Sequence, residues 1–135
     1  MGGWMYTVNV TNNYFQQVTG HVVPVPESGY RLWSVDPNGG KASIGPLGTF
    51  ELDVPSMGPI LFIDIGDTKL PQYTNPNLPW TEQTWGGIIR YKSEEAYFRY
   101  EGGGIVNLVI DRYGSINLSF PLGGMQISLP ELTVS

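Results

Sequence analysis

Between Gln72 and Trp85 the chain interleaves ring faces with polar groups. Tyr73, Trp80 and Trp85 supply the rings, and Asn75, Asn77 and Glu82 supply amides and a carboxylate. Sugars present apolar ring faces edged by hydroxyls, so their binders combine these same groups. Tyr and Trp also suit the membrane interface, where the ring is half dry and its N–H or O–H stays wet. Pro71, Pro76 and Pro79 keep the wider stretch Gly66–Trp85 irregular, and a long structureless connection in a small domain is usually functional. Trp85, just ahead of Gly86-Gly87, also suits an inward anchor. Trp80, between Pro79 and polar residues, is the ring expected at the surface. A second aromatic pair, Tyr14 and Phe15, follows Asn12-Asn13 and is expected near a loop tip, where exposed rings call for a partner. The candidate ligand-binding set is therefore Tyr73, Asn75, Asn77, Trp80, Glu82, Trp85, Tyr14 and Phe15.

The acidic residues are less promising. Asp64-Ile65-Gly66-Asp67 places two carboxylates around a glycine, but a calcium loop needs more oxygen ligands at set spacing. A strand end followed by a turn is the simpler reading. Asp64, Glu82 and Glu101 are the acids a glycosidase would draw on, yet no acid–base pair can be assembled from spacing alone. His21 alternates within a strand and reads as structural. The chain carries no phosphate-binding loop, no nucleophile elbow, no zinc-protease helix and no dinucleotide fingerprint. No enzyme activity, cofactor or metal is expected. Asn9-Val10-Thr11 and Asn117-Leu118-Ser119 match the glycosylation sequon inside expected strands and are read as chance.

Composition narrows the partners. The 135 residues suit one domain, 1–135, large enough to hold a core unaided. With Cys 0 there is neither a disulfide framework nor a thiolate metal site. Lys+Arg 7 against Asp+Glu 12 gives a net charge of −5, which repels nucleic acid and anionic lipid alike. Charged residues make up only 14%, so the surface rests on Asn, Gln, Ser, Thr and Gly and suits neutral partners such as glycans or zwitterionic head groups. The start, Met1 to Tyr6, has no basic segment followed by an apolar one, so no signal peptide is expected. That places synthesis in the cytoplasm, with release or action on foreign membranes left open.

The elements that must position these groups are strands. Trp4–Thr11 alternates apolar and polar residues, and so does Ser115–Phe120, where Ile116, Leu118 and Phe120 share one face. Val18–Val25, Tyr30–Val35 and Thr49–Val54 are three more strands. Ile60–Ile65 is apolar on both faces except for Asp64, which predicts a central strand covered on both sides. From Gly86 to Leu129 five short runs, separated by turn residues, predict a C-terminal antiparallel meander. The expected fold is all-β, an antiparallel, jelly-roll-like β-sandwich of about ten short strands, since an open sheet would leave sticky edges.

Four features resemble the aegerolysins and related small cytolytic or insecticidal β-sandwich proteins. They are the chain's size and acidity, the opening strand Trp4–Val10 running into Asn12-Asn13, Pro79-Trp80 in a central aromatic loop, and a Gly-rich hairpin before the last strands. The chain departs from that pattern at Arg31-Leu32-Trp33-Ser34 and at Pro79-Trp80-Thr81, where the family often has Trp-Gly-Lys and Pro-Trp-Gly. The resemblance implies an all-β protein that recognises membrane lipid and works with a larger protein partner to make pores, with Trp80 and Trp85 facing lipid. The expected function is membrane-lipid binding within a toxin. The alternative is a lectin-type carbohydrate-binding module; a third reading is a glycosidase built on Asp64, Glu82 or Glu101, and a fourth is an assembly subunit that forms a homo-oligomer, for which edge strands and low surface charge suffice.

Overall fold

A computed structural model describes residues 3–25, 31–50, 60–66, 86–92, 94–99, 104–120 and 123–126. They form ten strands and no helix: β1 (Gly3–Asn12), β2 (Val18–Val25), β3 (Arg31–Val35), β4 (Gly40–Phe50), β5 (Ile60–Ile65), β6 (Gly86–Tyr91), β7 (Glu94–Arg99), β8 (Gly104–Ile110), β9 (Ile116–Phe120) and β10 (Gly123–Gln126). Two five-stranded sheets result, sheet A in the order β10-β9-β8-β1-β4 and sheet B in the order β3-β2-β5-β6-β7. No helix among the described residues is long and apolar enough to cross a membrane.

Alternation explains the core. On β1, Tyr6, Val8 and Val10 are fully buried, while Thr7, Asn9 and Thr11 face outward and are half-buried. Val106, Leu108 and Ile110 on β8 and Ile116 and Leu118 on β9 join them. From sheet B come Val22, Trp33, Leu61, Ile63, Ile65, Ile89 and Phe98, and all of these form one cluster. One apolar cluster fed by both sheets is the organisation of a β-sandwich. The centre of sheet B is also dry on its second face. Phe62, Asp64, Ile88 and Arg90 alternate with the core residues and are buried too, so β5 and β6 are shielded on both sides as the Ile60–Ile65 run predicts.

Two expectations need correction. The sheets are not wholly antiparallel, as a jelly roll would be, because β1 runs parallel to β8 and β5 runs parallel to β6. The five-run meander is also split. The β6–β7 hairpin belongs to sheet B, and only β8-β9-β10 continue as a meander in sheet A. The parallel β5–β6 pair bears on the long 66–85 connection. Parallel neighbours can be joined only by a segment that returns the full strand length, about 20 Å for six residues. Connection length alone therefore does not mark that stretch as a binding loop.

Strand β4 begins well before the expected Thr49–Val54, of which residues 51–54 lie outside the described residues. Gly45 and Pro46 disguise it. They stand opposite Thr7, where the β1–β4 register shifts by one residue, as at a β-bulge. Proline is tolerated there because a bulge on an edge strand leaves an N–H unneeded. Gly45 has φ 130°, and a Cβ on it would meet the Tyr6 carbonyl at 2.8 Å. The Gly45–Pro46 peptide is cis.

Candidate ligand-binding surfaces

Three loops meet at one end of the sandwich, and Asn12 ties two of them together. This residue is fully buried at the end of β1. Its Oδ1 accepts from the Tyr14 amide at 2.9 Å, closing an Asx turn, and its Nδ2 donates to the Gln16 carbonyl at 2.8 Å. The same Nδ2 lies 3.2 Å from the Val35 carbonyl and 3.3 Å from that of Asp36. The Asn38 amide donates to the Tyr14 carbonyl at 2.9 Å, and the Gly39 amide to that of Asn12 at 2.7 Å. The 13–17 loop is thus fastened to the turn between β3 and β4. On its other side the Asn13 amide donates to the Ile110 carbonyl at 2.8 Å, which sets it beside the β8–β9 turn.

That turn is built by Asp111. Its Oδ1 accepts from the amides of Tyr113 at 2.8 Å and Ser115 at 2.9 Å. The carboxylate is used in folding the turn, which presents Arg112 and Tyr113 to solvent. Tyr113 is 63% exposed; the Arg112 guanidinium lies over its ring at 4.7 Å and donates to its hydroxyl at 2.5 Å. In the 13–17 loop Phe15 is 56% exposed, whereas Tyr14 is buried against it with ring centroids 4.6 Å apart. Of the aromatic pair read from the sequence, Phe15 faces solvent and Tyr14 belongs to the core. Tyr113 was missed because Asp111-Arg112-Tyr113-Gly114 reads as a turn first.

The charges at this end are mixed. Lys41, Lys92 and Arg112 are exposed there, as are Asp36 and Glu94. Lys92 sits at the β6–β7 hairpin, which the parallel β5–β6 register brings to this end. Among the described residues both signs are therefore present at this end.

A second surface lies on the outer face of sheet A. The ladders align two polar rows across it. One is Ser43-Asn9-Asn107-Ser119, and the other is Lys41-Thr11-Val109-Asn117. Asn9, Thr11, Lys41, Ser43 and Asn107 line an open trough of about 470 Å³. Further along the same face, toward the start of β1, Met5 and Ile105 are 55% and 48% exposed. Sequence alternation shows that these residues point outward. It does not show that β1 lies parallel to β8, and that pairing is what sets Asn9 beside Asn107.

The remaining candidates fall in two groups. Tyr73, Asn75, Asn77, Trp80, Glu82 and Trp85 lie outside the described residues, as do Asp67 and Glu101. Asp64 is fully buried and gives one oxygen to Arg90 Nε at 2.6 Å and the other to Nη2 at 2.8 Å. A carboxylate held this way is a structural partner, neither a calcium ligand nor a glycosidase acid. His21 is its cross-strand neighbour on β2. Among the described residues no three His, Asp or Glu side chains gather as a metal site would require.

Fold and surface together define a two-sheet β-protein with an aromatic loop end and a neutral polar sheet face. Comparison with protein-family models, with curated proteins and with solved structures returns no match.

Proposed function

We propose that this protein is a non-enzymatic binding module that docks on the head-group layer of zwitterionic membranes through its aromatic loop end. The observation that carries the proposal is the pairing of Phe15 and Tyr113, both more than half exposed, on loops joined by the Asn13–Ile110 hydrogen bond. A benzyl ring such as that of Phe15 gains by leaving water for the acyl boundary. The phenol of Tyr113 suits the level just above it, where its hydroxyl stays wet. The Arg112 guanidinium on the Tyr113 ring is placed to meet a lipid phosphate, while Asp36 and Glu94 keep the end from favouring anionic surfaces. The resemblance to aegerolysins supports the same class of ligand, and with it a role as the lipid-recognising component of a toxin whose pore is supplied by a larger partner.

Flotation on phosphatidylcholine vesicles tests this. Wild-type protein is expected to float with the vesicles equally at ~0.1 M and ~1 M NaCl, because little of the attraction is screened Coulomb energy. Phe15→Ala/Tyr113→Ala is expected to stay in the aqueous layer. Equal flotation by the variant, no flotation by wild type, or binding that requires anionic lipid and is lost in salt would each contradict the proposal.

A further inference from the structure

We infer that the trough on the outer face of sheet A is a second binding site, separate from the loop end, and that its ligand is a neutral glycan chain. The lining chemistry selects the ligand. Asn9 and Asn107 each offer a carbonyl acceptor and two amide donors, and Thr11 and Ser43 each offer a hydroxyl that both donates and accepts. A sugar hydroxyl likewise donates one hydrogen bond and accepts others, so a row of amides and hydroxyls satisfies it without charge. Lys41 is the single charged residue in the lining. A polyphosphate chain requires several cations and finds one. An apolar peptide requires an apolar floor and finds only Val10 and Ala42 among the lining residues.

The same face also meets the sugar's other requirement, an apolar patch for the C–H side of the ring. Met5 lies on β1 in phase with Thr7, Asn9 and Thr11, and Ile105 lies on β8 in phase with Asn107. Ile105 stands opposite Thr7, one strand step from the polar rows. A chain laid along β1 would pass from the Met5 and Ile105 shelf onto the Asn9 and Asn107 amides.

The framework is rigid where it has to be. Strands β1 and β8 are both interior to sheet A, each hydrogen-bonded on both sides, so the amides are held without the ordering cost of a loop. Volume is adequate too, since about 470 Å³ falls in the range that accommodates a small ligand.

The test uses the full-length protein on an array of neutral oligosaccharides covering glucans, mannans, galactans and chitin fragments, followed by calorimetric titration of the best binder. Wild type is expected to retain at least one neutral class. Asn9→Ala/Asn107→Ala is expected to weaken that binding by roughly tenfold or more, as loss of direct hydrogen bonds does. Ser43→Tyr on the edge strand β4 fills the trough without changing any residue of the central strands, and is expected to do the same with an unchanged melting temperature. Phe15→Ala/Tyr113→Ala is expected to bind the glycan normally, which separates this site from the loop end. Retention of no neutral glycan, retention of anionic glycans only, or full affinity in Ser43→Tyr would overturn the inference.

Discussion

Asp64 and Arg90 face each other across the parallel β5–β6 ladder and are joined by two hydrogen bonds, Nε to Oδ1 at 2.6 Å and Nη2 to Oδ2 at 2.8 Å. Both are buried on the outer side of sheet B, and the guanidinium also lies 4.7 Å above the Phe62 ring. The parallel register is what makes the pair, since it sets residue 64 directly beside residue 90. Removing one partner takes two charge-assisted hydrogen bonds from a buried charge. Asp64→Ala is therefore expected to cost about 3–5 kcal/mol of stability. The double change Asp64→Leu/Arg90→Met is expected to cost far less, because neither charge remains. Denaturant unfolding of both variants measures this, and equal losses would show that shape, not charge, holds the site.

Two glycines in sheet B make room for rings. Gly20 pairs with Trp33, and a Cβ on it would fall 2.3 Å from the Trp33 ring and 2.1 Å from the Asp64 carbonyl. Gly87 pairs with Phe98, and a Cβ there would fall 2.3 Å from that ring. Each edge strand, β3 and β7, thus lays an aromatic ring over a glycine of its inner neighbour. Gly20→Ala and Gly87→Ala are each expected to destabilise by about 1–3 kcal/mol through overpacking, and to lower the melting temperature. Gly39→Ala meets no atom within 4 Å, so its cost comes only from its φ of 103°.

Asn12 anchors the aromatic loop end from beneath. Asn12→Ala leaves the Tyr14 amide and the Gln16 carbonyl without the bonds they now make to its side chain. A loss of about 1–3 kcal/mol is expected. Faster amide exchange is expected at Tyr14, while β9 keeps its protection. Uniform acceleration across the chain would mean that Asn12 supports the whole fold and not this loop.

The Tyr97 hydroxyl donates to Glu95 Oε2 at 3.0 Å on β7. Partial burial raises its pKa above the ordinary 10.0, and the hydrogen bond and negative charge of Glu95 add to the rise. The folded chain then holds this proton more tightly than the unfolded chain. The stabilisation is complete below about pH 10 and is lost as pH climbs through the folded value. Glu95→Gln is expected to lower the ionisation midpoint of Tyr97 in an ultraviolet titration. An unchanged midpoint would leave burial as the whole cause.

Much of the architecture was legible in the sequence, because alternation is local. Trp4–Thr11 and Ser115–Phe120 show their dry faces directly, and the unbroken Ile60–Ile65 marks a strand shielded on both sides. Pairing partners were not legible. Nothing near Tyr6 or Ile60 says that each strand will take a parallel neighbour, and those choices split the expected meander and set Asn9 beside Asn107. Strand β4 was read short because glycine and proline punctuate it, although at a bulge both are compatible with pairing. At the loop end Phe15 was visible through its polar neighbours. Tyr14 is expected at the surface beside it because sequence adjacency does not reveal which of two neighbouring rings turns inward.

Docking as proposed carries the Phe15 and Tyr113 loops into the lipid head-group layer. Because the chain has no cysteine, a single introduced thiol can be labelled cleanly. An environment-sensitive dye on Asn13→Cys would report from the loop end, and the same dye on Ser119→Cys from the outer face of sheet A, level with Asn9 and Asn107; both positions are exposed. On phosphatidylcholine vesicles containing brominated acyl chains, the probe at position 13 should shift to the blue and be quenched, while the probe at 119 should remain as in water. A dry, quenched probe at 119, or a probe at 13 unchanged by vesicles, would contradict the account.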